Sequence, residues 1–248
     1  MNGYPLCKSF LLAALFIKEQ LKEPVALFWM VVSPAVTFYL IAYARTSNDD
    51  RAISYLAVTS WFYAFIACSV AFFGLAFYIV GRRESGFLRS FVYTTPTKLI
   101  FLLGQFFAYS FLSIVYCLVF YGLTQFYFGP GVAVSDVLDV VLRFYICFLL
   151  FSIFSMLLTL APLSFQNAST VFSVLLCLML ALGIVSASSS HTALQVIKLL
   201  NPMGWANQIM LEGGAGSIEV VLVVMAAFSI SFGVTFRLLL INPVWSRY

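Results

Sequence analysis

Residues 81–86 have the spacing of a phosphate-binding loop, because Gly81 and Gly86 enclose four other residues. In such a loop, backbone N–H groups hold phosphate, and the next two residues are a lysine and a serine or threonine that bind phosphate and magnesium. Phe87 and Leu88 occupy those two positions here. We therefore expect neither a nucleotide site nor an ATPase domain in this chain.

The titratable residues do not form the groups that an intramembrane enzyme or an ion-coupled pump requires. The sequence has no HExxH motif, no paired intramembrane aspartates and no serine beside a base. Asp136 and Asp139 share a helical face beside Arg143, which fits a solvated helix start better than an acid pair. His191 is the only histidine and lies among serines, where a surface role is more common than catalysis. All nine acids lie in loops or at span ends, which disfavours proton coupling, whereas a sodium site built from backbone carbonyls would leave no such signal.

The cysteines indicate neither a disulfide nor a metal centre. There are five, without a CxxC pair, and four of them lie in apolar runs where a thiol behaves as a small hydrophobic group. We therefore expect no metal site and no cofactor bound by this chain.

The composition is that of an integral membrane protein. Of 248 residues, 63% are hydrophobic and 9% are charged, whereas soluble domains have about 25% charged residues. The net charge of +4 comes mainly from short segments beside apolar runs, which indicates a lipid bilayer rather than nucleic acid as the partner. We expect one all-α membrane domain over residues 1–248.

Apolar runs separated by polar loops predict six transmembrane helices, since a helix needs about 20 apolar residues to cross the bilayer. The predicted spans are residues 25–44, 54–80, 99–121, 140–160, 169–185 and 220–241. A charged segment, 81–98, separates the second and third spans, and a half-apolar stretch, 194–211, precedes the sixth and is expected to be half-inserted on the outer side.

Residues 1–23 predict an amphipathic helix at the membrane interface. Apolar residues recur at helical spacing at Phe10, Ala14, Ile17 and Leu21. Lysines and a glutamate lie opposite, but Leu11, Leu12 and Leu15 interrupt the polar face. A poorly formed first span is the alternative.

The distribution of basic residues predicts that both termini are cytoplasmic. The inner segments hold Lys8, Lys18, Lys22, Arg82, Arg83, Arg89, Lys98, Arg237 and Arg247. The outer segments hold Arg45, Arg51, Arg143 and Lys198. This excess on one side satisfies the positive-inside rule.

Segment 81–98 has the pattern of a short amphipathic helix. Phe87, Leu88, Phe91 and Val92 form an apolar arc of about 140° on a helix that Pro96 ends. The opposite side carries Arg83, Arg89, Ser90 and Tyr93. Such a helix can place its apolar face in a groove of a soluble partner, or it can lie on the inner leaflet with its basic residues on lipid phosphates. The residues alone favour neither interpretation.

At this segment the sequence resembles the ABC-2 type permeases, the membrane subunits of bacterial ATP-binding-cassette transporters. The matching elements after the second span are Arg83-Glu84, Gly86, the apolar helix from Phe87 to Val92, and Thr95-Pro96. A second match precedes the last span, where Asn201-Pro202 is followed by Trp205. The order of elements also agrees along nearly the whole chain.

The resemblance implies a transporter of two such permeases, in this case a homodimer, and two cytosolic ATPases that bind ATP and magnesium, in the bacterial cytoplasmic (inner) membrane. The residues that it assigns to ATPase coupling are Arg83, Glu84, Gly86, Phe87, Leu88, Phe91 and Val92. It also implies that the second and fifth spans line the substrate path, where this chain offers Phe62, Phe65, Ser69, Phe72, Phe172, Leu176 and Met179. Ordinary helix packing is the alternative for that second set.

The expected function is export of a small amphipathic or hydrophobic compound, such as an antibiotic, a drug or a modified peptide. The chain is short and has no predicted large outer domain, which favours a small cargo. Export of lipid or polysaccharide is the alternative, followed by an ion-coupled transporter and an intramembrane enzyme.

Overall fold

The computed structural model describes residues 5–23, 25, 28–45, 55–128, 134–188, 196, 200–212 and 218–243, and every structural statement below concerns these residues. All regular elements among them are helical, as the sequence predicts. The α-helices are α1 (Pro5–Gln20), α2 (Ser33–Arg45), α3 (Tyr55–Ser69), α4 (Phe77–Glu84), α5 (Phe87–Phe91), α6 (Thr95–Phe128), α7 (Val134–Leu158), α8 (Phe165–Ser188), α9 (Pro202–Glu212) and α10 (Ile218–Leu238). Two π-helical segments, Phe28–Val32 and Val70–Ala76, precede α2 and join α3 to α4.

Five helices are long and apolar enough to cross a bilayer, which makes the chain a multi-pass membrane protein. They are Tyr55–Glu84, Thr95–Phe128, Ser135–Leu158, Phe165–Ala187 and Glu219–Leu238. The first predicted span, 25–44, corresponds to a shorter apolar helix, Phe28–Ala44. Its 17 residues cover only about 26 Å at 1.5 Å per residue, so the count of six spans remains a prediction.

The long helix formed by α3, the π-helical segment and α4 lies at the centre of the fold. It packs against α6, α7 and α9, and most of its residues are buried. Large rings fill the spaces around it, among them Tyr63, Phe72, Phe144 and Phe172. A helix that is apolar on every side is typical of such a buried position, whereas α8 and α10 are the least covered of the long helices.

The π-helical segment Val70–Ala76 contains a glycine that the packing requires. A Cβ atom on Gly74 would lie 2.5 Å from Cδ1 of Tyr109 on α6, so no other residue fits there without moving that ring. The hydroxyl of Tyr109 donates a hydrogen bond of 2.9 Å to Oε1 of Gln20 at the end of α1. Close approach at Gly74 thus positions the ring that holds the end of α1.

Helix α1 packs on α6 through a face next to the apolar face that the sequence predicts for the membrane interface. Its buried residues are Ser9, Ala13, Phe16 and Gln20, each one position before a residue of the predicted apolar face. One residue corresponds to about 100° of rotation, so Phe10 and Leu21 are instead exposed. The reason is that helices in membranes meet through small residues. At Gly104 of α6, a Cβ atom would lie 3.2 Å from the carbonyl oxygen of Ser9, which shows how closely the two backbones approach.

Two basic side chains cap the ends of other helices. Nη1 of Arg143, on α7, donates hydrogen bonds of 2.9 and 3.2 Å to the carbonyl oxygens of Met210 and Leu211 at the end of α9. Nζ of Lys98, on α6, lies 3.4 Å from the carbonyl oxygens of Arg237 and Leu239 at the end of α10. The last carbonyls of a helix have no intrahelical partner, and cations there also interact favourably with the helix dipole.

Candidate coupling site

The junction between α4 and α5 is a tight turn built on one glycine. The N–H groups of Ser85 and Gly86 donate to the carbonyl oxygens of Gly81 and Arg83, which closes the end of α4. Gly86 has φ of 78°, a left-handed conformation that glycine adopts without strain. The chain then enters α5 and leaves it at Val92, so α5 is a short helix between two long ones.

Arg83, at the end of α4, is buried and bound to the connection between α7 and α8. Its Nη1 atom donates hydrogen bonds of 3.0 Å to the carbonyl oxygen of Thr159 and 3.1 Å to that of Ala161, and Nη2 donates to that of Leu163. Its Nε atom forms an ion pair of 3.1 Å with Oε1 of Glu84. Only 1% of the side chain is exposed. Arg83 therefore holds α4 against residues 159–163. It also supplies hydrogen-bond donors to carbonyl groups in that connection, where the last carbonyls of a helix have no intrahelical partner.

The predicted apolar face of α5 is turned largely towards the spans of its own chain. Leu88 and Val92 are buried in the core. Phe87 and Phe91 are half-buried, and their rings stack with centroids 5.4 Å apart. The exposed side of the segment carries Arg89, Ser90 and Tyr93, and Tyr93 is 79% exposed. The surface that α5 can offer to a partner thus consists of these polar residues and the partly exposed rings of Phe87 and Phe91. Docking of a partner on α5 remains a prediction.

Arg82 connects the same junction to α1. Its guanidinium carbon lies 4.0 Å from the centroid of the Phe16 ring and 5.1 Å from that of Phe87, and the group forms an ion pair with Glu19. A guanidinium between two aromatic faces is a favourable arrangement. Helices α1, α4 and α5 therefore meet at one side chain.

The residues predicted to line a substrate path lie within the packed interior of a single chain. Ser69, Phe72, Phe172 and Leu176 are buried, whereas Phe62, Phe65 and Met179 are half-buried. The rings of Phe72 and Phe172 bring span two and α8 together, with centroids 5.8 Å apart. These contacts are those of ordinary helix packing, and a path along them remains a prediction.

The Asn201-Pro202 pair begins a helix that packs inside the protein. Oδ1 of Asn201 accepts a hydrogen bond of 3.0 Å from the N–H of Met203, which caps the start of α9. Helix α9 packs against α3, α7 and α8, and buries Met203 and Met210. Of the stretch predicted to be half-inserted, 194–211, residues 194, 195 and 197–199 lie outside the described residues.

Comparison with known proteins supplies a relative for the whole chain. No family model matches it. Protein McbE of Escherichia coli is 31% identical over 241 residues, which are 95% of this chain and 97% of that protein. The chain belongs to the McbE family. Because the likeness to McbE extends over nearly the full length of both chains, it concerns the whole set of membrane helices and not one segment.

In this member of the McbE family, sequence reasoning assigned Arg83 and α5 to one functional segment but missed the residues that hold that segment in place. The sequence reasoning used Arg82, Lys98 and Arg143 as charges that orient the chain, and Arg143 also as a neighbour of Asp136 and Asp139. Their partners are carbonyl groups, a glutamate and aromatic rings on other helices, which no local pattern reveals. The Asn201-Pro202 pair was the one local signal, because asparagine before proline is typical of a helix start.

Proposed function

We propose that the chain is the permease subunit of an ABC exporter for a small amphipathic or hydrophobic compound, driven by a separate ATPase subunit that binds ATP and magnesium. The observation that carries this proposal is the linkage at α5. Leu88 and Val92 attach α5 to the core, and Arg83 attaches the adjacent end of α4 to residues 159–163. A force that a cytosolic partner applies to α5 would therefore be transmitted to α4, α7 and α8 together.

The positions of the acidic residues support an external source of energy. Among the described residues, carboxylates lie at or beside helix ends, as Glu84, Asp136 and Glu219 do. An ion-coupled transporter generally places such a group near the middle of a span. ATP hydrolysis by a partner is the energy source that fits this arrangement.

The exposed face of α8 supports assembly with a second copy of the chain. Gln166, Thr170 and Ser173 lie along this face at helical spacing, and all three are exposed. Polar groups on a spanning helix are unfavourable against lipid, and they are better placed at a protein interface or a hydrated path. We propose a homodimer of permeases with two ATPases.

The proposed location is the bacterial cytoplasmic membrane. The shorter apolar helix Phe28–Ala44 is then the first of six spans, and both termini are cytoplasmic. A modified peptide, an antibiotic or a drug is the proposed class of cargo, because the candidate path residues other than Ser69 are apolar or aromatic.

The energy source is tested by reconstituting the purified chain in lipid vesicles. Without an ATPase, we expect no ATP hydrolysis and no uptake driven by a proton or sodium gradient, since residues 81–88 lack the lysine and the serine or threonine of a phosphate-binding loop and the described carboxylates lie near helix ends. Co-reconstitution with the ATPase that co-purifies from the native host should produce ATP hydrolysis and ATP-dependent cargo movement. Gradient-driven transport by the chain alone would refute the proposal.

The orientation is tested with single cysteines in a background that lacks Cys7 and Cys177, the two exposed thiols. Cysteines at Asn48 and Ser189 should react with an impermeant maleimide in intact cells, and a cysteine at Ser85 should react only after lysis. Reaction of the Ser85 position in intact cells would reverse the proposed topology.

A further inference from the structure

Asn201 uses both ends of its side-chain amide, and the second contact reaches another helix. While Oδ1 caps α9, Nδ2 donates a hydrogen bond of 2.7 Å to the carbonyl oxygen of Met179, in the middle of α8. A helical carbonyl can accept this bond because it has a second lone pair. The side chain is buried, so water does not compete for either contact.

Three helices meet beside this hydrogen bond at a glycine. A Cβ atom on Gly183 of α8 would lie 2.9 Å from Cζ3 of Trp61, on α3, and 3.3 Å from Nδ2 of Asn201. The absence of a side chain at Gly183 thus lets the indole and the amide approach α8 together. The contact between α3 and α8 at this point is van der Waals contact, whereas the contact between α9 and α8 includes a hydrogen bond.

The opposite end of α9 is held by α7. Arg143 binds the carbonyl oxygens of Met210 and Leu211, and the thiol of Cys147 lies 3.4 Å from the carbonyl oxygen of Ala206. Helix α9 is therefore hydrogen-bonded to α7 along its second half and to α8 through Asn201, the residue just before its start, and it also packs against α3.

We infer that Asn201 is a positioning residue that joins α8 and α9 into one moving unit. Helix α9 also packs against α3, so without this hydrogen bond the start of α9 could stay on α3 when α8 separates from α3 at the contact between Trp61 and Gly183; with the hydrogen bond, the start of α9 is held on α8. This inference does not depend on ATP, on a cargo or on a second copy, so it stands or fails separately from the proposed function.

The test measures distances between spin labels on the full chain in lipid nanodiscs, with Cys7 and Cys177 replaced by alanine. One pair, Leu182 and Gln208, reports on α8 and α9, and a second pair, Leu142 and Gln208, reports on α7 and α9; all three positions are exposed. The Asn201→Asp variant keeps the acceptor for the N–H of Met203 but places a carboxylate against the carbonyl of Met179. We expect the first distance distribution to broaden towards longer distances and the second to stay unchanged.

A second variant leaves Asn201 intact. Gly183→Ala adds a methyl group that pushes against the indole and the amide, and we expect it to broaden the same Leu182–Gln208 distribution. If neither variant alters that distribution, Asn201 does not join the two helices. Equal broadening of both label pairs would also overturn the inference, because α9 would then have lost its position as a whole.

Discussion

Replacing Arg83 with methionine is expected to destabilise the folded chain by about 3–5 kcal/mol, the usual cost of removing one member of a buried ion pair. The variant leaves the Glu84 carboxylate without this cation and removes the donors to Thr159, Ala161 and Leu163. Such a loss corresponds to a fall in melting temperature on the order of 10 °C. The measurement is the fraction of monodisperse protein that survives heating in detergent.

Two further variants separate the loss of charge from the loss of geometry. Arg89→Met removes an exposed arginine only six positions later and should change stability by no more than about 0.5 kcal/mol. Arg83→Lys keeps the charge but lacks the planar fork of donors. Its stability should therefore lie between that of the parent and that of Arg83→Met. If Arg83→Met has the same melting temperature as the parent, the hydrogen bonds of Arg83 to residues 159–163 do not stabilise the fold.

Loss of the ATPase from the complex is the expected result of placing a carboxylate at the half-buried Phe91 or at the exposed Tyr93 of the α5 segment. Phe91→Asp and Tyr93→Asp should each reduce the co-purified ATPase at least about tenfold, the effect of 1.4 kcal/mol. Burial of a large side chain contributes roughly 1.5–3 kcal/mol before the cost of ordering is subtracted. Leu88→Asp is unsuitable for this test because Leu88 lies in the core, where the substitution would disrupt folding instead.

The matched control for docking is Gln208→Asp, which adds the same charge at an exposed position of α9. It should retain the parent amount of ATPase. If α5 instead lies on anionic lipid, Arg89→Glu should weaken binding to anionic vesicles, and both aspartate variants should keep the ATPase. Arg89 is the informative basic residue, because Arg82 and Arg83 are already engaged within the chain. A full complement of ATPase in Phe91→Asp and Tyr93→Asp would exclude the docking surface.

Composition and hydrophobic runs were sufficient to predict an all-helical membrane protein, because a bilayer requires long apolar helices whatever their packing. Which face of a helix packs was less predictable. On α1 the strongly apolar Phe10, Leu11 and Leu15 are exposed, whereas the small residues Ser9 and Ala13 are buried together with Phe16. In water the apolar face would be buried, whereas in a membrane lipid solvates it equally well.

The candidate site was predicted in part. The sequence indicated the α5 segment and its four apolar residues, but it could not show that Leu88 and Val92 pack against the chain's own helices. Arg83 was assigned to coupling by resemblance, while its partners lie 76 to 80 positions later in the chain. Such long-range contacts depend on the arrangement of helices, which the local pattern does not contain.

The π-helical segment Val70–Ala76 makes the length of the central helix critical. A π-helical turn contains one residue more than an α-helical turn, which rotates everything beyond it by about 100° relative to a continuous α-helix. A helical wheel drawn from Tyr55 through Glu84 consequently misplaces Arg83. Deletion of one residue between Val70 and Ala76 would remove this additional residue and leave a continuous α-helix, so Arg83 would still face residues 159–163. A single-residue deletion in this stretch is therefore compatible with the hydrogen bonds of Arg83 to residues 159–163, whereas an insertion would rotate Arg83 by about a further 100° and break them.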